Sequence, residues 1–227
     1  MQRATGLITT EPSPLMLRIT VGQADDSGGF TGTIMEELCR VLANALDGST
    51  KLVVFQSTTP HSSISPSEKI TEHAAVIRHT TQFQMALEIL RQAAFFSIFV
   101  AEGETKGSVL DLALACDWRV GAKSADLCFS RDPTASKGLP DGERLAQLVG
   151  EFSALDVLLR QRKLSWAEAS RIGLALPDTA EDFINGIHKA VTDIDKQSIA
   201  VMRHAVRNAP NADNQLSRIP DSLSVAV

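Results

Sequence analysis

Apolar residues recur every three or four positions over residues 32–46, where Ile34, Leu38, Val41, Leu42 and Ala45 share one face, and this period predicts a helix. Thr33 and Glu36 at its start have the spacing of a capping box. A short apolar run at 15–21 before it predicts the first strand, and the Asp25-Asp26-Ser27-Gly28-Gly29 cluster breaks the chain between the two. KLVVFQ (51–56) and FFSIFVA (95–101) are continuous apolar runs rich in Val and Phe, the pattern of strands covered on both faces. Between them, Phe83, Leu87, Leu90 and Ala94 predict a helix over 80–94. Residues 108–117 predict a buried helix, WRVG (118–121) a short strand, and 129–143 an irregular loop with proline and glycine. Candidate helices then cover 143–161, 165–174, 179–193 and 195–208.

The polar stretches complete the layout. Residues 1–14 carry two prolines and little periodicity and are expected to form a flexible leader, and 209–227 a polar tail. Residues 57–73 (STTPHSSISPSEKITEH) are polar with two prolines, which marks a long loop. Strand-helix alternation followed by helices alone gives an α/β class. The expected organisation is one domain over 15–208, with a core to about 150 and C-terminal helices over 151–208.

Composition narrows the function classes. The chain has 227 residues, 44% of them hydrophobic, enough for a sizeable core, and a net charge of −5 that offers no general attraction for nucleic acid. Cys39, Cys116 and Cys128 lie in separate segments, with neither the even count of a disulfide framework nor the spacing of a zinc site, and are expected to be small buried side chains. No apolar run approaches the roughly 20 residues that cross a bilayer. The expectation is a cytoplasmic protein that uses no metal.

Three blocks in one order carry a family resemblance. ALACDWRVGAKSA (113–125) resembles the LALACDxRxA stretch of the crotonase (enoyl-CoA hydratase/isomerase) superfamily. GLPDGERL (138–145) resembles a shortened GLxPGxGGxxRL loop and helix. Leu148-Val149-Gly150, Ala154 to Leu159, and LSWAEA with IGLA (164–175) are similar to the family's LVGxxxALELLLTGxxxSAxEAxxxGLV. The resemblance implies a crotonase-like spiral of ββα turns with a C-terminal helical region that builds homotrimers or hexamers. It also implies an acyl thioester substrate on coenzyme A or an acyl carrier protein, with coenzyme A or phosphopantetheine entering as part of the substrate and no separate cofactor.

The chemistry implied is enolate stabilisation by two main-chain N–H groups, an oxyanion hole in which preorganised donors meet developing negative charge. The helix-side donor falls at Ser108 in Lys106-Gly107-Ser108-Val109-Leu110-Asp111, where the family has consecutive glycines; the other falls by counting at Ser63 or Ile64. Asp111 stands at the position of the family's first catalytic glutamate, one methylene shorter; a capping box made by Ser108 and Asp111 is the competing reading. Asp132 is the carboxylate nearest the second position, and a turn residue before Pro133 is its alternative. His61 offers an imidazole in the candidate loop, and Gly107, Lys69 and Lys106 are candidates to meet the thioester and the coenzyme A phosphates; an exposed loop histidine and solvated lysines are the plain alternatives. Asp117, although in the strongest motif, sits at the far end of its helix and is read as structural.

Two functions follow. One is an enzyme that hydrates, dehydrates or decarboxylates an acyl thioester in a biosynthetic pathway. The other is an accessory protein of the same scaffold that supports a polyketide-synthase-type partner enzyme without turnover of its own.

Overall fold

Leu52, Val53, Val54 and Phe55 are at most 1% exposed, because the strand they form lies inside a sheet with helices on both sides. The computed structural model describes residues 3–5, 8–22, 30–58, 73–129, 142–177 and 179–207. Its elements are β1 (Arg3–Thr5), β2 (Ile8–Ser13), β3 (Met16–Gly22), α1 (Gly32–Asp47), β4 (Leu52–Thr58), α2 (His73–Gln92), β5 (Phe96–Ala101), β6 (Glu104–Thr105), α3 (Gly107–Ala115), β7 (Trp118–Gly121) and β8 (Asp126–Cys128). The helical half holds α4 (Gly142–Val149), α5 (Glu151–Leu159), β9 (Lys163–Ser165), α6 (Trp166–Arg171), α7 (Ala180–Val191) and α8 (Lys196–Arg207).

The main sheet has the order β1-β2-β3-β4-β5-β7, with β3, β4, β5 and β7 parallel, and a small sheet has the order β6-β8-β9. Alternation along the strands sends Val53, Phe55 and Phe99 into a core shared with α1, α2 and α3. Leu52, Val54, Ile98, Val100 and Val120 face the other way, onto Ile184 and Val191 of α7. Helix α3 is immersed in the larger core, with Val109, Leu110, Leu112, Ala113 and Leu114 fully buried.

Several boundaries differ from the sequence reading. Residues 8–13, expected within a flexible leader, form β2 along the whole of β3, with Ile8 opposite Val21 and 2% exposed. Pro12 is tolerated because β1 reaches no further than Thr10. The N-cap of α1 is Thr31, whose hydroxyl accepts from Ile34 N at 3.3 Å, two residues before the expected Thr33. Helix α2 starts at His73, earlier than expected, and the helix expected over 143–161 is divided at Gly150, whose φ of 80° no helical residue adopts.

One carboxylate ties the layers together. Asp117, at the start of β7, accepts from Ser97 N at 2.9 Å and Ser97 Oγ at 3.0 Å, which fixes β7 against β5. It also accepts from Arg203 Nη2 at 3.1 Å and Arg207 Nη2 at 2.7 Å, which clamps α8 onto the sheet. Arg203 donates further to Leu90 O at 2.5 Å and to Ala93 O, covering the end of α2. Arg119, 4% exposed, donates to Cys116 O at 2.9 Å, Ala113 O at 3.1 Å and Leu174 O at 2.5 Å. Asp117 is thus structural. Cys116 and Cys128 are buried and not joined in a disulfide, and burial pushes the Cys116 thiol up to about 12.

Burial alone would raise the Asp117 carboxyl, but Arg203 and Arg207 outweigh it and hold the group below the ordinary aspartate range. A carboxyl whose native pKa is depressed adds stability above its unfolded value and loses it as pH falls toward the native one. Asp117→Asn is therefore expected to cost about 3–5 kcal/mol in urea denaturation at pH 7, because it leaves buried guanidiniums uncompensated. The difference from the parent chain should shrink as the pH is lowered below about 4. An unchanged midpoint at neutral pH would contradict this role.

Candidate active site at the N-terminus of helix α3

Parallel strands leave their C-terminal ends on one edge, and the segments that follow start there. Gln56 lies opposite Val100 in the β4–β5 register, so the exit of β4 and the approach to α3 share that edge. A hydrogen bond from Gln56 Nε2 in β4 to Glu102 Oε1, just past β5, at 2.5 Å joins the two. Beyond Ala101 the chain passes β6 and enters α3 at Gly107, whose φ of 57° is in the left-handed region that favours glycine.

Lys106 is the N-cap of α3, with an extended backbone (φ −148°, ψ 171°) and no side-chain hydrogen bond to the first turn. The Ser108 and Asp111 capping box is therefore not what starts this helix. The first N–H groups of a helix lack intrahelical acceptors and sit at the positive end of its dipole, so a start without a side-chain cap is suited to an oxygen that carries developing negative charge. Ser108 is 5% exposed and Val109 fully buried, so those N–H groups border the core and not open solvent. Asp111 is half-buried one turn further on and shares a face of α3 with Ser108 by its i, i+3 spacing.

Lys106 Nζ pairs with Glu104 Oε1 at 2.7 Å, and Lys163 Nζ holds the other oxygen at 2.8 Å and Asp126 Oδ2 at 3.1 Å. Hydrogen bonds from Lys106 and Lys163 lower the Glu104 carboxyl to about 2, so this partly exposed cluster stays ionised at neutral pH. Of the residues singled out from the sequence, Lys106, Gly107, Ser108 and Asp111 are brought together at this helix start. His61, Ser63, Ile64, Lys69 and Asp132 lie outside the described residues.

Sequence reasoning missed two polar groups at the same edge. Glu102 precedes α3 by a short turn, and the acidic pair flanking Gly103 was its signal. His79 in α2 lies over Gly32 at the start of α1. A Cβ added at Gly32 would stand 2.1 Å from His79 Cε1, so Gly32 provides the space the ring fills. His79 Nδ1 is buried without a hydrogen-bond partner among the described residues. No pattern in the sequence links positions 32 and 79, because their contact comes only from the packing of α1 on α2.

Comparison with solved structures identifies the architecture. The chain superposes on a Magnetospirillum magneticum enoyl-CoA hydratase/carnithine racemase with a TM-score of 0.74 and 15% identity, covering 99% of this chain and 90% of that one. A Thermobifida fusca protein assigned as an enoyl-CoA hydratase, solved in complex with CoA, matches with a TM-score of 0.74 and 20% identity over 92% of this chain and 88% of that one. The chain has the crotonase fold. No family profile matches the chain.

Curated relatives include a probable enoyl-CoA hydratase of Mycobacterium bovis, 27% identical over 184 residues, 74% of this chain. A probable mitochondrial enoyl-CoA hydratase of Arabidopsis thaliana is 29% identical over 160 residues, 62% of this chain. The matches span 64% and 50% of the length of those two relatives. Among the described residues of this crotonase-fold chain, no helix is long and apolar enough to cross a membrane, and no group of three or more His, Cys, Asp or Glu side chains is placed to hold a metal ion.

Gly32→Ala is expected to destabilise the chain by about 1–3 kcal/mol through overpacking against the imidazole. Combined with His79→Ala, the penalty should largely disappear, a coupling read by urea denaturation of the four variants. Equal penalties in both backgrounds would refute the contact.

Proposed function

We propose that this crotonase-fold chain binds an acyl thioester with its carbonyl oxygen against the Ser108 N–H and stabilises the thioester enolate there. The observation that carries this reading is the start of α3: a left-handed Gly107, an N-cap without a side-chain hydrogen bond, and a buried first turn at the edge where β4 also ends. Fold neighbours from Thermobifida fusca solved with CoA and with acetoacetyl-CoA support a thioester as the ligand class. The loop after β4, at Ser63 or Ile64, would supply the second N–H of the oxyanion hole.

In this account Asp111 moves the proton: in hydration its carboxylate takes one from the water whose oxygen bonds to the β-carbon and gives it to the α-carbon of the enolate, and in dehydration it takes the α-proton and gives it to the departing hydroxide, which leaves as water. Asp132 and His61 are the second acid-base candidates, and Lys69 and Lys106 the phosphate contacts. Hydration, dehydration or decarboxylation of a CoA-borne or carrier-borne acyl group in a biosynthetic pathway all pass through the same enolate. A cytoplasmic homotrimer or hexamer is the assembly that goes with this reading.

A second reading has one observation in its favour. Ser108 and Val109 carry buried side chains where the resemblance has glycines, which narrows the approach to the helix start and suits an accessory protein that assists a polyketide-synthase-type or other biosynthetic enzyme.

Turnover separates the two. The purified chain should convert a crotonyl, glutaconyl or malonyl thioester, and Asp111→Asn should lower kcat about 100-fold or more with little change in KM. Absence of turnover on all three substrates, or an Asp111→Asn variant as active as the parent, would overturn the enzyme reading and favour the accessory one.

The Glu104 pair yields a separate expectation. Glu104→Gln removes the carboxylate that competes with a phosphate for Lys106, and should tighten CoA binding by up to about fivefold in calorimetry, whereas Lys106→Gln should weaken it. Equal affinities in both variants would exclude Lys106 from the phosphate contacts.

A further inference from the structure

Away from the start of α3, the arginines that cover its other end line a cleft of two adjoining cavities beside α8. One, of about 710 Å³, is walled by Phe96, Trp118, Leu148, Met202 and Val206; the other, of about 840 Å³, by Arg91, Gln92 and His204. Arg144, Gln147, Arg203 and Arg207 line both. An apolar slot therefore opens directly onto a guanidinium-lined one.

Arginines outnumber carboxylates among the described residues that line the cleft. Asp117 is the one carboxylate among the described residues that line either cavity, and its oxygens already receive Ser97, Arg203 and Arg207. Helix C-termini supply part of the compensation: Arg203 donates to the last carbonyls of α2, and Arg144 and Arg207 donate to Leu114 O and Ala115 O of α3 at 3.1 and 3.3 Å. Arg207, with 15% of its side chain exposed, still has a buried Nε without a partner among the described residues. Burial, with Arg207 next in weight, lowers Arg144 to about 10, which places these guanidiniums within each other's fields.

We propose that this cleft binds an anionic amphiphile, a carboxylate on an unbranched apolar chain, with the carboxylate between Arg144 and Arg207 and the chain along Trp118, Leu148, Met202 and Val206. Planar guanidiniums match carboxylates in paired hydrogen bonds, and an apolar slot of this size is in the range that holds a small ligand. The chain's net charge of −5 repels anions in general, so the attraction is local to this cleft. The stretch of α3 from Ser108 to Ala115, about 10 Å of helix, separates it from Ser108, so the site is distinct from the candidate thioester site and does not depend on the function proposed there.

The test is calorimetric titration of the full chain with decanoate at submicellar concentration, with 1-decanol and acetate as the uncharged and tail-free comparisons. Gln147→Glu puts a carboxylate beside Arg144, whose Nη1 already donates to Gln147 Oε1 at 3.2 Å, and Met202→Trp fills the apolar slot. Decanoate should bind at one saturable site, and decanol, acetate and each variant that retains the parent's circular dichroism should bind about tenfold more weakly or worse. The proposal is overturned by no saturable binding, by decanol binding as well as decanoate, or by folded variants that bind decanoate like the parent. It is equally overturned if light scattering shows Met202→Trp splitting an oligomer of the parent, because the cleft is then filled by a second copy of this chain.

Discussion

Helix α3 is buried along its length, and a buried helix must have the backbone groups at both ends satisfied without bulk water. Its two ends are treated differently. Carbonyls of residues 113–116 are taken by Arg119, Arg144 and Arg207, and Arg207, on α8, is in turn held by the Asp117 carboxylate. At its first turn the N-cap, Lys106, makes no side-chain hydrogen bond among the described residues. The outcome is a rigid dipole whose negative end is neutralised by guanidiniums and whose positive end faces the edge of the sheet where β4 stops.

Rigidity at one end and availability at the other are linked. The Asp117 carboxylate joins β5, β7 and α8, so the position of the start of α3 is set by contacts a helix-length away. Stabilising an enolate by main-chain donors depends on their being fixed before charge develops. The arginine layer fixes the far end of α3, and the same arginines line the cleft beside α8.

Much of this was legible in the sequence, for reasons that differ by element. KLVVFQ and FFSIFVA read as strands because both of their faces are covered, and the period of Ile34, Leu38, Val41 and Leu42 read as a helix because one face of α1 packs on the sheet. β2 was obscured by Pro12 and Pro14, since the β-branched run before them is short and one neighbouring strand ends before Pro12. The structural role of Asp117 could be read from its place at the end of a helix, whereas its partners Arg203 and Arg207 could not, because they arrive from about 90 residues away. At the candidate site, Ser108 and Asp111 were singled out through the family resemblance, and the helix they share puts them on one face by their i, i+3 spacing. The contact of His79 with Gly32 depends on the packing of two helices and had no local signal.

A crystal structure of the chain with acetoacetyl-CoA tests the central claim most directly. The account predicts the thioester oxygen about 3 Å from the Ser108 nitrogen, in line with the first turn of α3. A thioester oxygen bound elsewhere, with the α3 N-terminus left to solvent or to protein groups, would contradict it.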